Sequence, residues 1–163
     1  MEKYIIDSSA IFFRKGLYPS MVTVPEVIKE IRDSSSVDYL SFIDLEVKEP
    51  DGSCVEEIEK IAKRSGDIYR LSETDIKLLA LALTVRKEGF EPVIVTDDYS
   101  IQNVAKIAQL KTDSIIQKGI SKEFMWIRRC RGCKREVEDG TERCPICGSE
   151  IYLSRVKIKR DKT

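Results

Sequence analysis

Tyr4-Ile5-Ile6-Asp7-Ser8-Ser9 sets an acid and two hydroxyls directly after a short apolar run, and the fold turns on how that run is read. The run predicts a buried strand over residues 3–6, ending where Asp7 begins a turn. Residues 8–14 are expected to turn helical. Pro92-Val93-Ile94-Val95-Thr96 has the same shape and also ends in acids, Asp97-Asp98, while Met21-Val22-Thr23-Val24 is a third β-branched run. Helical spacing fills the intervals. Pro25 suits the first turn of a helix from Glu26 to about Arg32. Val55, Ile58, Ile61 and Ala62 recur with a 3.6-residue period up to Ser65-Gly66. Ser72-Glu73-Thr74-Asp75 reads as a capping box for a strongly apolar helix through Ile76, Leu79, Ala80 and Leu83, and residues 99–108 predict another helix. Asp33-Ser34-Ser35-Ser36 reads as a loop, residues 40–47 as a half-exposed strand, and Ser114-Ile115-Ile116 as a short last strand. Strands alternating with helices give an α/β fold, a mainly parallel sheet flanked by helices.

From about residue 122 the pattern changes. Cys130, Cys133, Cys144 and Cys147 form C-x2-C-x10-C-x2-C among short β-like pieces. Two such pairs supply the four soft ligands of a closed tetrahedral zinc site, so residues 122–163 read as a small β zinc ribbon with a basic C-terminal strand. A disulfide pair or redox site is the alternative. The fifth cysteine, Cys54, falls in a helical stretch and reads as a small hydrophobe. Four sulfurs leave no open coordination position, so the expected Zn²⁺ is structural.

No apolar stretch reaches the roughly 18 residues that span a bilayer, and no signal-peptide core follows Met1, so a cytoplasmic protein without membrane attachment is expected. Equal numbers of Lys/Arg and Asp/Glu, 28 of each, hide an asymmetry. Residues 1–127 carry 17 bases against 22 acids, and residues 128–163 carry 11 against 6. Bound zinc thiolates would reduce the second excess by about two charges. Histidine is absent, which removes imidazole acid–base catalysis and both Ser-His-Asp and Cys-His nucleophiles.

The acids therefore attract attention. Asp7 and Asp97-Asp98 end strands, the place where open parallel sheets put ligands. Glu30 lies on the helix after Pro25, four residues from Glu26 and beside the apolar positions Val27 and Ile31. Asp75 opens the apolar helix. Each has a mundane explanation as a cap, a turn residue or a partner of the helix dipole. Gathered at one cleft, carboxylates without cations would repel, and oxygen-only ligands select Mg²⁺ or Mn²⁺. Such ions activate water and neutralise phosphate charge, so phosphodiester hydrolysis is the chemistry this set best supports.

Ile6-Asp7-Ser8-Ser9, Val24-Pro25-Glu26-Val27-Ile28-Lys29-Glu30, Glu73-Thr74-Asp75-Ile76-Lys77-Leu78-Leu79-Ala80-Leu81-Ala82 and Val95-Thr96-Asp97-Asp98 occur in an order that resembles a PIN-domain nuclease over residues 1–121. The resemblance implies Asp7, Glu30, Asp75 and Asp98 as ligands for Mg²⁺ or Mn²⁺ and cleavage of single-stranded RNA. It implies that Ser9 supports Asp7 through its hydroxyl. It leaves Asp97 either joining the site or capping the next helix.

A PIN domain followed directly by a zinc ribbon is similar to the endonucleases of small-subunit rRNA 3′-end maturation, the Nin-one-binding-protein family. Phe12-Phe13-Arg14 and the Tyr99-Ser100-Ile101-Gln102-Asn103-Val104 stretch also look like that family. The resemblance implies a small-subunit rRNA precursor in a pre-ribosomal particle as partner, and the compact chain points to an archaeal source. Arg128, Arg129, Arg131, Lys134, Arg135, Arg155, Lys157 and Lys159 are then the candidates for RNA phosphates, with Trp126 or Tyr152 available for stacking. A solvated basic surface is the plainer reading of those residues. Two other functions fit the same sequence: a non-catalytic RNA- or pre-ribosome-binding module, and a PIN ribonuclease toxin.

Overall fold

Ile5, Val22 and Ile94 are fully buried register partners on one face of three adjacent strands, and the partners Ile6 and Val95 are buried on the other, so the sheet's centre is covered on both faces. The structure, a computed structural model, describes residues 1–14, 18–115 and 124–157. Strands β1 (Glu2–Ile6), β2 (Met21–Thr23), β3 (Leu45–Val47), β4 (Glu91–Val95) and β5 (Lys111–Asp113) pair in the order β3-β2-β1-β4-β5. Every pair is parallel.

Parallel neighbours need crossovers, and helices supply them. Helix α1 (Ser8–Phe12) follows β1, and α2 (Pro25–Glu30) and α3 (Ser34–Phe42) follow β2. Helices α4 (Gly52–Ser65) and α5 (Glu73–Lys87) connect β3 to β4, and α6 (Tyr99–Ile107) connects β4 to β5. Helix α1 packs with α2 and α3, whereas α4, α5 and α6 pack with one another. Right-handed crossovers running in opposite directions along the sheet put the two groups on opposite faces. Strand order reverses between β1 and β4, so their carboxyl ends border the crevice where such sheets hold ligands.

Helix α5 is buried without a break from Leu78 to Val85, since it lies against β1 and β4 and also against α4 and α6. A helix apolar on all sides belongs in the interior. Leu79→Ala in α5 is expected to cost about 2–5 kcal/mol, read as a lower urea midpoint with an unchanged m-value. The expected capping box is present: the Asp75 amide donates to Ser72 Oγ (3.2 Å), and the Ser72 amide donates to Asp75 Oδ2 (2.7 Å). Helix α4 buries Cys54, Ile58, Ile61 and Ala62 along one stripe and ends at Gly66, which takes φ +78°.

Three expectations are corrected. Asp33-Ser34-Ser35-Ser36 is no loop, because the Asp33 carboxylate accepts the Ser36 amide (2.9 Å) and caps α3. The same polar residues favour caps and turns alike. That helix takes Leu40 and Phe42, so the strand over residues 40–47 shrinks to Leu45–Val47. The last strand is Lys111–Asp113, fully exposed at the sheet edge, where it carries no apolar signal; Ile116 lies outside the described residues.

Asp67 opens a short 3-10 turn (Asp67–Tyr69) after α4 and is fully buried. Its Oδ2 accepts from Ser65 Oγ (2.6 Å) and Asn103 Nδ2 (2.7 Å), its Oδ1 has no hydrogen-bond partner, and the nearby Trp126 side chain also acts on the carboxyl. Burial raises its pKa despite these bonds. A carboxyl raised in the folded state holds its proton more tightly there than when unfolded, so stability falls as pH climbs through the folded value. Asp67→Asn removes that loss. Melting temperatures recorded from about pH 4 to about pH 8 should therefore show the variant gaining on the wild type as pH rises.

The cysteine segment adds an antiparallel pair, β6 (Phe124–Cys130) and β7 (Ile151–Lys157), in register from Phe124↔Lys157 to Cys130↔Ile151. Among the described residues no helix is long and apolar enough to cross a membrane.

Candidate active site and cysteine cluster

Asp7 is only 7% exposed, directly beyond β1. Its amide donates to the Val95 carbonyl (3.2 Å), which fixes the end of β1 on β4. Its Oδ1 accepts the Ser8 amide (2.7 Å), and its Oδ2 accepts hydroxyls from Ser9 (3.1 Å) and Thr96 (2.7 Å). Burial raises the Asp7 pKa, these three donors oppose the rise, and the charge of Asp98 adds to it. Asp7 is thus a desolvated carboxylate held by neutral donors.

Thr96 ties two acids together. While donating to Asp7, its Oγ1 accepts the Asp98 amide (3.1 Å). In the sequence Thr96 reads as a strand end two residues before Asp98, and nothing local marks its bond to Asp7. Asp98 caps α6, its Oδ1 accepting the Ser100 (2.7 Å) and Ile101 (3.0 Å) amides. Gln102, one turn on, is buried and donates to the Thr96 carbonyl (3.0 Å), bracing the same corner.

Asp75 completes a group of three. Its pKa is raised by burial and further by the charges of Asp7 and Asp98, against the Ser72 capping bonds. Carboxylates from β1, α5 and the end of β4 therefore share one electrostatic environment. Among the described residues, however, only the cysteines bring three or more ligand atoms within 4.8 Å of one another, so the acids are spaced more loosely.

Glu30, the last residue of α2, is exposed, with Val27 and Ile31 buried beside it as expected. The structure gives no interaction joining it to the other three acids. Glu26 instead pairs with Lys77 of α5 at 2.5 Å, which lowers its pKa. Asp97 does not cap α6. Its Oδ1 accepts the Ile115 amide (2.8 Å), fastening the segment after β5.

The four cysteine sulfurs all lie within 4.8 Å of one another, with Cys130–Cys147 at 3.3 Å and Cys133–Cys144 at 3.7 Å. Sulfurs at the corners of a ZnS4 tetrahedron, each about 2.3 Å from the metal, are separated by about 3.8 Å, so the donor set fits zinc. A Cβ at Gly132 would lie 2.5 Å from Ser149 Oγ and 3.1 Å from Cys147 Sγ, so a side chain there would crowd the cluster. Hydrogen bonding with Ser149 holds the Cys147 thiol below the ordinary range, to about 6.

The ribbon bases divide. Arg128 donates to the carbonyls of Glu138 (3.2 Å) and Thr141 (2.5 Å), and Arg129 to that of Lys134 (3.0 Å), so both brace the cysteine loops. Arg131 and Lys134 sit over the Tyr152 ring, each 5.5 Å from its centre, and with Arg135 they are exposed. Arg155 lies 5.9 Å from the Trp126 ring. Lys159 lies outside the described residues. Trp126 is already engaged, close to the Asp67 carboxyl and covered by Arg70.

Residues 4–85 match the family described as the PIN domain of ribonuclease. The chain is 50% identical over 162 residues to endoribonuclease Nob1 of Archaeoglobus fulgidus, covering 99% of this chain and 96% of the relative. It is 37% identical to endoribonuclease Nob1 of Methanothermobacter thermautotrophicus, covering 94% and 93%. Ribonuclease VapC1 of Thermoplasma acidophilum is 39% identical over 153 residues, with 91% and 76% covered.

Proposed function

Because the chain belongs to the Nob1 family of PIN-domain endoribonucleases, we propose that it cuts single-stranded RNA with a divalent ion held by Asp7, Glu30, Asp75 and Asp98. Its substrate is the precursor of small-subunit rRNA at the mature 3′ end, in a pre-ribosomal particle in the cytoplasm. The observation that carries the metal assignment is that these acids lie within electrostatic reach: the charges of Asp7 and Asp98 act on Asp75, and that of Asp98 acts on Asp7. Such a cluster is relieved by a cation.

Bound there, Mg²⁺ or Mn²⁺ would supply an acidified water and charge to stabilise the phosphate and its leaving oxygen. The chain's own contribution is orientation. Ser8, Ser9 and Thr96 fix both oxygens of Asp7, and the α6 amides fix one oxygen of Asp98. Ser9 and Thr96 act on Asp7, whereas Asp97 supports the site by holding the segment after β5. Glu30 sits on the C-terminal end of α2 and joins the site as an exposed ligand. Zinc on Cys130, Cys133, Cys144 and Cys147 keeps the ribbon folded, and Arg131, Lys134, Arg135, Arg155, Lys157 and Lys159 supply phosphate contacts for an otherwise acidic enzyme.

The test is a transcript spanning the 3′ end of small-subunit rRNA, incubated with the zinc-loaded chain with and without Mn²⁺. The expected result is a Mn²⁺-dependent cut at the mature terminus. Cutting elsewhere would remove the rRNA assignment, and no cut on any single-stranded RNA would leave a binding module.

A further inference from the structure

The turn that follows α4 faces β6 with four of its five residues. At Gly66, a Cβ would lie 1.5 Å from the Trp126 carbonyl oxygen and 2.7 Å from the Trp126 Cβ, so two backbones meet where only glycine fits. Asp67 is fully buried, and the Trp126 side chain lies close enough to counter the burial-driven rise in its pKa. The Tyr69 ring carries the Arg128 guanidinium at 5.7 Å, and Arg70 covers the Trp126 ring at 4.2 Å. Arg128 continues the connection to the cysteine loop through the Glu138 and Thr141 carbonyls.

The same turn is joined to the elements that carry the acids. Asn103, which donates to Asp67, lies in the helix capped by Asp98, and the Leu71 amide donates to the Asp67 carbonyl (3.0 Å) directly before the Ser72–Asp75 box. With its Oδ1 buried and unpartnered, the Asp67 carboxylate depends on the Ser65 and Asn103 bonds to Oδ2, which favours a single arrangement over a loose one.

We propose that the Gly66–Arg70 turn and Trp126 form a latch that fixes the cysteine ribbon on the nuclease core, presenting RNA gripped by the ribbon to the acids in one register. Asp67, Arg70 and Trp126 are positioning residues in this arrangement. The inference rests on the nuclease reading above, which supplies the RNA. A rigid link keeps the second contact of a two-part ligand at high effective concentration, and a loose link lowers it.

Trp126 is the sole tryptophan, so its emission reports the latch directly. The experiment compares the full zinc-loaded wild type with Arg70→Ala and Asp67→Asn by emission spectrum, and with these and Trp126→Phe by kinetics. Two RNAs are used, the long transcript and an oligonucleotide of about four nucleotides, near the smallest single-strand site. Affinity for each is read separately by anisotropy.

The expected result is emission shifted toward that of exposed indole, KM and Kd on the transcript raised about tenfold, kcat unchanged, and the short RNA handled as by the wild type. Trp126→Phe, which keeps the charge of Arg70, separates a lost latch from a lost phosphate contact. Unchanged emission, or transcript affinity equal to wild type in all three variants, would overturn the latch, as would an equal loss on both RNAs. A wild type that cuts neither RNA refutes the nuclease reading, and the latch is then decided by emission and affinity.

Discussion

Asp7→Asn is expected to lower the rate of RNA cleavage by about 10³-fold or more, with the fold and RNA affinity retained. The residue lies in the crevice between β1 and β4, almost wholly buried, and its charge acts on both sides of the site. The amide keeps an oxygen for the Ser8 N–H, while the Ser9 and Thr96 hydroxyls can turn to accept, so packing changes little. What disappears is the negative charge on which a divalent ligand depends. The sign for stability runs the other way. Burial already penalises the charged form of Asp7, so without added divalent ions the variant should melt no lower than the wild type at neutral pH. Thr96→Val provides the graded comparison. Losing a group that orients a ligand costs about 10–100-fold, so its cleavage should fall between wild type and Asp7→Asn. Single-turnover rates at saturating protein, with melting curves, check all three statements.

The second large effect concerns the ribbon. Among the described residues of this segment only Ile127, Cys130 and Cys144 are buried hydrophobics, far too few to fold a unit of this size. Structural zinc in such small units contributes about 10–16 kcal/mol of apparent binding free energy. Cys144→Ser, or zinc removal with a chelator, should therefore unfold residues 124–157 while the parallel sheet persists. In an amide correlation spectrum the β6 and β7 resonances should collapse into the unfolded range, with those of β1 and β4 unmoved, and zinc content should fall from one per chain to none. If ribbon and sheet resonances collapse together, the two parts fold as one unit. If neither moves, zinc does not hold the ribbon.

What could be read from the chain follows the reach of each interaction. The Ser72–Asp75 box, the Gly66 stop and the Asp7 strand end depend on residues a few positions apart, and they are visible as spacing. The α/β and ribbon fold class follows from alternating runs and four cysteines, while the PIN reading comes from the resemblance of the acid-bearing motifs. Asp33-Ser34-Ser35-Ser36 reads as a loop because a helix cap and a loop use the same side chains. Strand β5 leaves no apolar trace, since an exposed edge has nothing to bury. The tie through Thr96 and the burial of Asp67 are hidden for another reason: their partners lie 89 and 36 positions away. Glu30 shows the remaining gap between order and geometry. Its place in sequence matches the other acids, yet it lies exposed at the end of α2.

On the proposed function, Asp7, Asp75 and Asp98, with Glu30, hold a divalent ion at the β1–β4 crevice. Crystals of the zinc-loaded chain soaked in Mn²⁺ test it directly, with anomalous maps collected at the manganese edge and above the zinc edge. The zinc peak among Cys130, Cys133, Cys144 and Cys147 serves as the internal control. The expected result is a manganese peak in contact with an Asp7 oxygen and shared with Asp75 or Asp98. A clear zinc peak with no manganese density at Asp7, in protein that still cuts RNA, would contradict it.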